Sequence, residues 1–528
     1  MTQSDTPRTT RFRLRDLVLG LVAAAAIAVA LWQLALTTRG LDIRKATVGT
    51  TPVTVFRPAD QKTPAPVVVI AHGFAGSQQL MQPFAVTLAR NGYVAVTFDF
   101  LGHGRNPTPA GGDINHVSGT TVLLVKQLGE VLDFAKNLPG TSGQIALLGH
   151  SMASDIVVRT AQQHPEVFAA VTVSMFSPAV TADSPKNLLV VVGDWEPGLK
   201  REALRVLRLA AGPDAQPGVM YGSFDDGTAR KIVFSPHVEH VAVLYGPAGL
   251  AAARDWLDAA FHHAGSGYVD DRGPWIALLL LGIVALAKPL AGLLPWLSPT
   301  PLGASLRWRT LLPVGLAPAV LTPLLLWKAP TDFLPMLVGD YLALHFALYG
   351  LLTGVGLWLA GRLGGRQTLG GQTLGDPPIG RRGVALLLLS AALVALYGIG
   401  VFGLALDTYV TSFVPVAPRL PILAALAAGT LPYFLADEWA TRGAGAARGA
   451  YPATKLFFVL SLAAAIALNL EKLFFLILIV PVIVLFFVIY GLFSRFAYRR
   501  THHPLVGAIA NALAFAWAIA VTFPLIPR

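Results

Sequence analysis

The sequence predicts an α/β protein built on a doubly wound, mostly parallel sheet, followed by an all-α multi-pass membrane domain. Three observations predict it. Between residues 53 and 262, six short apolar runs alternate with segments of helical periodicity. From Trp275 to the C-terminus, long apolar stretches recur with short polar breaks. A further apolar stretch, residues 17–36, precedes both. With 54% hydrophobic and only 13% charged residues in a chain of 528, the composition lies far from that of a soluble domain.

The six runs are residues 67–70, 93–98, 145–148, 170–173, 188–192 and 231–234. They are rich in β-branched residues and almost unbroken in hydrophobicity, as strands buried on both faces of a parallel sheet must be. Helical periodicity occupies residues 77–90, 120–137, 154–163, 199–211 and 249–261. Such alternation implies right-handed crossovers and an active site at the carboxyl ends of the strands. The C-terminal spans are predicted at 275–297, 311–327, 341–360, 384–406, 420–436, 456–470, 473–493 and 505–525. Each is near the ~20 residues that cross a bilayer. The turn Asn469-Leu470-Glu471-Lys472 leaves open whether it joins two spans or interrupts one long one.

Charge gives the orientation. With a cytoplasmic N-terminus, residues 1–16, the inner connections hold Arg8, Arg11, Arg13, Arg15, Arg307, Arg309, Arg362, Arg366, Arg381, Arg382, Arg442, Arg448, Lys455, Arg495, Arg499 and Arg500. The outer ones hold Lys328, Arg419, Lys472 and Arg528. Cytoplasmic loops carry the excess of Lys and Arg. Residues 46–265, between the first and second spans, therefore face the extracytoplasmic side, and 275–525 form the membrane domain.

The net charge of +11 does not mark a nucleic-acid binder. Residues 40–270 hold 17 Lys and Arg against 19 Asp and Glu, a balance of −2, and the remaining +13 belongs largely to the inner loops. The run 17–36 is longer than the apolar core of a cleaved signal, so it reads as an uncleaved anchor. The chain has no cysteine, which removes a thiol nucleophile, a disulfide scaffold and a thiolate metal site and fits an exported bacterial protein of the inner membrane.

The chemistry centres on Gly149-His150-Ser151-Met152-Ala153, directly after the apolar run 145–148. A serine hydroxyl attacks a carbonyl only when a base takes its proton, and a sharp strand-to-helix turn presents it to that base. Small residues two before and two after let the turn close. The other polar candidates also follow strands: His72-Gly73-Phe74-Ala75-Gly76-Ser77, Asp99 to Arg105, Gly193-Asp194-Trp195-Glu196, and Ser235-Pro236-His237-Val238-Glu239-His240.

On these motifs, residues 46–263 resemble the α/β-hydrolase superfamily, nearer its dienelactone-hydrolase-like and small esterase members. The last motif position is alanine where that family usually has glycine. The resemblance implies a nucleophile, an acid and a histidine in chain order, which Ser151, Glu196 and His240 obey. It favours Glu196, three residues after Gly193, as acid over Asp194. It favours His240, ahead of an apolar stretch and a helix, as base over His237. It assigns the oxyanion donors to the amides of Phe74 and Met152. It calls for no cofactor and no metal, and His262-His263 and His502-His503 read as solvated pairs.

Only about fourteen residues separate the fourth and fifth runs, too few for a large cap, while residues 197–230 have the length for a modest lid. A bare site beside a membrane points to an ester or lipid-like substrate, with membrane lipids as neighbours and no nucleic-acid partner. Oligomeric state is not readable. Asp340, His345, Asp407, Asp437, Glu438 and Glu471 lie in or at the ends of the spans, where charge marks either function or an interface. Three readings remain open: a tethered serine hydrolase or esterase, an acyltransferase using the same serine, and a transporter-like membrane protein whose hydrolase-like domain only binds.

Overall fold

The computed structural model describes residues 14–113, 117–363 and 380–527. Arg8, Arg11, Arg13, Arg366 and Arg528 of the charge count lie outside them.

The N-terminal part is an eight-stranded sheet: β1 Leu41–Val48, β2 Thr51–Pro58, β3 Ala65–Ala71, β4 Val94–Phe98, β5 Thr141–His150, β6 Val167–Val173, β7 Leu188–Gly193 and β8 Arg230–Ser235. Their order across the sheet is β1-β2-β4-β3-β5-β6-β7-β8. The first two pairings, β1 with β2 and β2 with β4, are antiparallel, and all the others are parallel. The six expected runs are β3 to β8. β1 and β2 have no counterpart in the sequence reading: β1 is a largely exposed edge strand carrying Arg44 and Lys45, and β2, though largely buried, breaks its apolar residues with Pro52, Thr54 and Arg57.

Five helices cover the sheet: α2 Gln82–Arg90, α3 Val122–Lys136, α4 Met152–Gln163, α5 Pro197–Ala211 and α6 Pro247–Phe261. Successive side chains of a strand point to opposite faces, and β3 fills both. Val67, Val69 and Ala71 pack in a core with Leu128 of α3 and Val157 of α4. Val68 and Ile70 pack in a second core with Phe84 of α2 and Leu257 of α6. Helix α5 buries Ala203, Val206 and Leu207 in the first of these cores. Its residues therefore serve the sheet as a crossover instead of forming the lid that 197–230 had the length to make.

Helix α1, Leu14–Thr37, precedes the sheet. After it come α7 Arg272–Ala291, α8 Trp308–Leu326, α9 Gly339–Leu363, α10 Arg381–Ala395, α11 Gly403–Tyr409, α12 Leu420–Thr441, α13 Ala450–Leu468, α14 Leu470–Thr501 and α15 Pro504–Thr522. Among the described residues nine helical segments are long and apolar enough to cross a membrane, α10 and α11 forming one of them through a π-wound stretch, Leu396–Phe402. Two separate helices, α13 and α14, meet at Asn469, which resolves the ambiguity at 469–472.

The helical domain is closed by an aromatic core that includes Phe346, Tyr433, Phe434, Phe458, Phe487 and Phe515. Beside it lies a fully paired charge cluster. Asp437 pairs with Lys455, and Glu438 pairs with Arg442 at 2.9 Å while accepting from Ser494 at 2.5 Å. Asp437 and Glu438 are 3% and 0% exposed, so their pairing takes place inside the bundle. His345 is buried as well, 3.3 Å from the Tyr341 hydroxyl.

Candidate active site

Ser151 ends β5 and opens α4. Its backbone lies at φ 54° and ψ −118°, a strained region for an L residue that costs of order 1–3 kcal/mol and persists only where the surroundings enforce it. They do so here. The Ser151 amide donates to the Val173 carbonyl at 2.8 Å, and Ser154 Oγ donates to the Ser151 carbonyl at 2.6 Å. The turn closes because residue 149 is glycine: a Cβ there would lie 2.5 Å from the Ala153 carbonyl oxygen and 2.7 Å from Val157 Cγ2. Ala153, at the position where glycine is usual, is buried.

The three chain-ordered residues meet across the carboxyl edge of the sheet. Ser151 Oγ lies 2.8 Å from His240 Nε2, and His240 Nδ1 lies 2.6 Å from Glu196 Oε1. The other carboxylate oxygen, Glu196 Oε2, accepts from Ser174 Oγ and from the Gly193 amide, both at 2.7 Å. Glu196 can fold back over the end of β7 because residue 193 has no side chain: a Cβ would meet Glu196 Oε2 at 2.8 Å and the Val238 carbonyl at 2.6 Å. Burial works against the charge on Glu196, yet the hydrogen bonds from His240, Ser174 and Gly193 outweigh it and hold the carboxyl below its usual pKa. The side chain of Glu196 is 6% exposed and that of His240 38%. The imidazole is thus open to an incoming molecule while its anchor is shielded.

The competing residues lie elsewhere. Asp194 is an exposed carboxylate paired with Lys200 at 2.5 Å, a contact that lowers its pKa. His237 is exposed in a left-handed turn at φ 59°. Neither is hydrogen-bonded to Ser151 or His240 among the described residues.

Two backbone amides lie beside the Ser151 turn. Met152 is the first residue of α4, where helical amides lack an intrahelical acceptor. Phe74 follows Gly73, whose backbone packs against the serine turn closely enough that a Cβ would sit 3.0 Å from Ser151 Cβ. Behind this loop His72 accepts from the Phe100 amide at Nε2 (3.1 Å) and faces the Gly73 carbonyl through Nδ1 (2.8 Å). Burial drives the pKa of His72 down to about 4, so it holds the loop as a neutral donor–acceptor. Buried Asp99 accepts from the amide and side chain of Gln78 and from the Arg105 amide.

Three further residues hold this arrangement: His150, which stands in the serine motif and reads there as backbone support, and Ser174 and Phe475, which had no individual signal in the sequence. Ser174 follows β6, as the other site residues follow their strands, and its left-handed φ of 53° turns its hydroxyl to Glu196. His150 Nε2 reaches the His240 carbonyl at 2.9 Å. Phe475 of α14 packs against Phe74 with ring centroids 4.4 Å apart and the planes tilted by 34°. Among the described residues no group of three or more His, Asp or Glu is placed to hold a metal ion.

Comparison with known proteins gives the same family. Residues 62–211 match the model described as serine aminopeptidase, S33. A monoacylglycerol lipase of Mycolicibacterium smegmatis is 30% identical over 181 residues, 32% of this chain, and the chain spans 62% of that lipase's length. Similar solved structures include a dienelactone hydrolase of Anabaena variabilis, at 16% identity, 43% of this chain, 100% of that one and a TM-score of 0.32. A bacterial membrane phospholipase A is another, at 15% identity, 47% of this chain, 99% of that one and a TM-score of 0.31. The sheet order, the strained serine turn and the family match lead to one conclusion: this chain carries a domain of the α/β-hydrolase superfamily.

Proposed function

We propose that this chain is a membrane-tethered serine hydrolase that cleaves a lipid ester through an acyl-enzyme, with Ser151 as nucleophile, His240 as base and Glu196 as the acid that orients it. The observation that carries the reading is the continuous chain of contacts from Ser151 Oγ to His240 (2.8 Å) and from His240 to Glu196 (2.6 Å).

In the first half-reaction His240 Nε2 takes the Ser151 proton as Oγ bonds to the ester carbonyl carbon. The carbonyl oxygen becomes an oxyanion that accepts from the Phe74 and Met152 amides, each worth ~2.7–4 kcal/mol in such a site. Glu196 fixes the tautomer and stabilises the imidazolium. Collapse breaks the ester C–O bond, and the alcohol leaves with the proton from His240. Water, deprotonated by His240, then adds to the acyl carbon and releases the acid and Ser151.

A lipid substrate is supported by position and by likeness. Phe74, whose amide is one proposed donor, packs against Phe475 near the start of α14, one of the nine membrane-length helices among the described residues. The similar mycobacterial protein is a monoacylglycerol lipase. The membrane is proposed to be a bacterial inner membrane, with a cytoplasmic N-terminus and residues 46–265 on the far side. Consistent with this, the helix ends that touch the hydrolase domain, around Thr37, Asp407, Phe475 and Leu525, all fall where the positive-inside count predicts the outer face.

The test is fluorophosphonate labelling of the detergent-purified full chain, together with fatty-acid release from monoacylglycerol. Labelling of the wild type, its loss in Ser151→Ala, and release of free acid are expected. Unlabelled wild type removes the enzyme reading. Transfer of the acyl group to an added alcohol in preference to water replaces hydrolysis with acyl transfer.

A further inference from the structure

The helical domain does more than anchor the hydrolase domain. We propose that its turn at residues 407–414 braces the loop that carries the oxyanion donor, with Asp407 as the positioning residue. The inference rests on the reading of Phe74 as an oxyanion donor.

Asp407 lies at the end of α11, almost buried, and its carboxylate is divided between the two domains. Oδ1 accepts from the Phe413 and Val414 amides at 2.8 and 3.1 Å, which folds the turn. Oδ2 pairs with Arg105 of the loop after β4. The turn so held meets the segment just beyond Phe74 at consecutive points. Ser77 Oγ accepts from the Ser412 amide at 2.9 Å and lies 3.2 Å from Thr411 Oγ1. Gln79 donates to the Asp407 carbonyl at 3.1 Å and accepts from Ser412 Oγ at 3.1 Å. Between them, Gln78 is tied through Asp99 to the amide of Arg105, the same residue whose guanidinium pairs with Asp407.

The loop needs this support. It passes through a left-handed residue, Ala75 at φ 53°, and its internal ties converge on one atom, the Gly73 carbonyl, which meets the Gly76 amide at 3.1 Å and His72 Nδ1 at 2.8 Å. An oxyanion hole works by donors fixed before the charge arrives, and a displacement near 1 Å can cost about a hundredfold in rate. Attachment of the two domains does not depend on Asp407. Arg272 joins Asp270 and Gln82, Arg90 donates to the Leu36 and Thr37 carbonyls, and Leu525 pairs with Gly102. Loss of the Asp407 carboxylate thus frees the brace while the domains stay joined.

The test uses full-length protein in detergent and a short water-soluble ester, so that delivery from a bilayer plays no part. Asp407→Asn is expected to lower kcat by about 10- to 100-fold with KM within about twofold. Asp407→Glu is expected to recover most of the loss. Arg90→Ala, which weakens the domain contact elsewhere, is expected to keep the wild-type kcat. Should Asp407→Asn fail to fold, Ser77→Ala carries the test with the same split of kcat from KM. Wild-type kcat in the folded Asp407→Asn or Ser77→Ala protein, or an equal loss in Arg90→Ala, overturns the brace alone. Absence of fluorophosphonate labelling at Ser151 in the wild type overturns the hydrolase reading and the brace with it.

Discussion

His150 Nε2 lies 2.9 Å from the carbonyl oxygen of His240, and the two imidazoles sit 4.9 Å apart. The residue before the proposed nucleophile thus holds the backbone of the proposed base, independently of the contact between Ser151 and His240. A carbonyl accepts only from a protonated nitrogen, so His150 carries its proton on Nε2. Burial first, and then the neighbouring His240, lowers its pKa to about 3 and keeps it uncharged. Replacing it with Phe removes a bond worth about 0.5–1.5 kcal/mol. His150→Phe is therefore expected to lower kcat by roughly 3- to 10-fold, while His150→Gln, which retains an N–H donor, recovers part of it. Steady-state kinetics on a soluble ester checks this, and an unchanged kcat in His150→Phe removes the tie.

Three histidines of the hydrolase domain share this buried, neutral condition: His72 with a pKa of about 4, and His103 and His150 with pKa values of about 3, each lowered mainly by burial. Their unfolded value is 6.5. Between that value and the folded ones the unfolded chain binds protons that the folded chain refuses. Stability is therefore complete above pH 6.5 and falls on acidification, by up to about 1.4 kcal/mol per pH unit for each histidine. Thermal unfolding in detergent should show a midpoint that drops steadily from pH 6.5 to 5. His103→Gln should make that slope shallower. A flat midpoint across the window contradicts the assignment.

The assignment of acid and base has a direct contrast in the structure. Glu196 and Asp194 lie two residues apart, but only Glu196 reaches His240; Asp194 pairs with Lys200 at the surface. Removing the charge of an orienting carboxylate leaves the histidine in the wrong tautomer and costs about 10⁴-fold in kcat in a well-studied triad. Glu196→Gln is expected to lose at least about 10³-fold, and Asp194→Asn to stay within about twofold, as surface changes do. His240→Ala and His237→Ala should divide in the same way. Equal losses within either pair would reject the proposed roles.

Legibility in the sequence followed unbroken apolar runs. β3 to β7 are largely buried and β8, the far edge, still carries Ile232-Val233-Phe234, so each leaves such a run, whereas the exposed edge strand β1 and the buried β2, broken by Thr54 and Arg57, do not. Ser151, Glu196 and His240 were accessible because each follows such a run in a fixed order. The brace was not. Arg105 and Asp407 are 302 positions apart, and Asp407 sits at the end of an apolar span where an interfacial charge is ordinary. Phe475 is one apolar residue among many in α14, and only the packed helix shows that it faces Phe74.

Orientation can be read by labelling, because the chain has no cysteine of its own. Asp225 is exposed on the hydrolase domain, and Ala444 is exposed in the connection between α12 and α13. In cells with a permeabilised outer envelope, Asp225→Cys is expected to react with a membrane-impermeant maleimide, and Ala444→Cys only after lysis. The reverse pattern would place the hydrolase domain in the cytoplasm.

The charge cluster of the helical domain yields the last expectation. Asp437 and Lys455 are 3% and 6% exposed and pair with each other, and Lys455 also lies 3.8 Å from the centre of the Tyr451 ring. Two charges buried together contribute little net stability, because desolvation offsets their attraction, but one left alone is costly. Lys455→Met is expected to destabilise the folded protein by about 3–5 kcal/mol. The double change Asp437→Leu with Lys455→Met should return most of that loss, since it leaves no orphaned charge. Unfolding midpoints in detergent for the two single variants and the double variant form the required cycle. If the double variant is as unstable as the sum of the singles, the pair does not act as a unit. If it recovers stability and ester hydrolysis together, the cluster serves packing of α12 against α13 and has no part in the reaction.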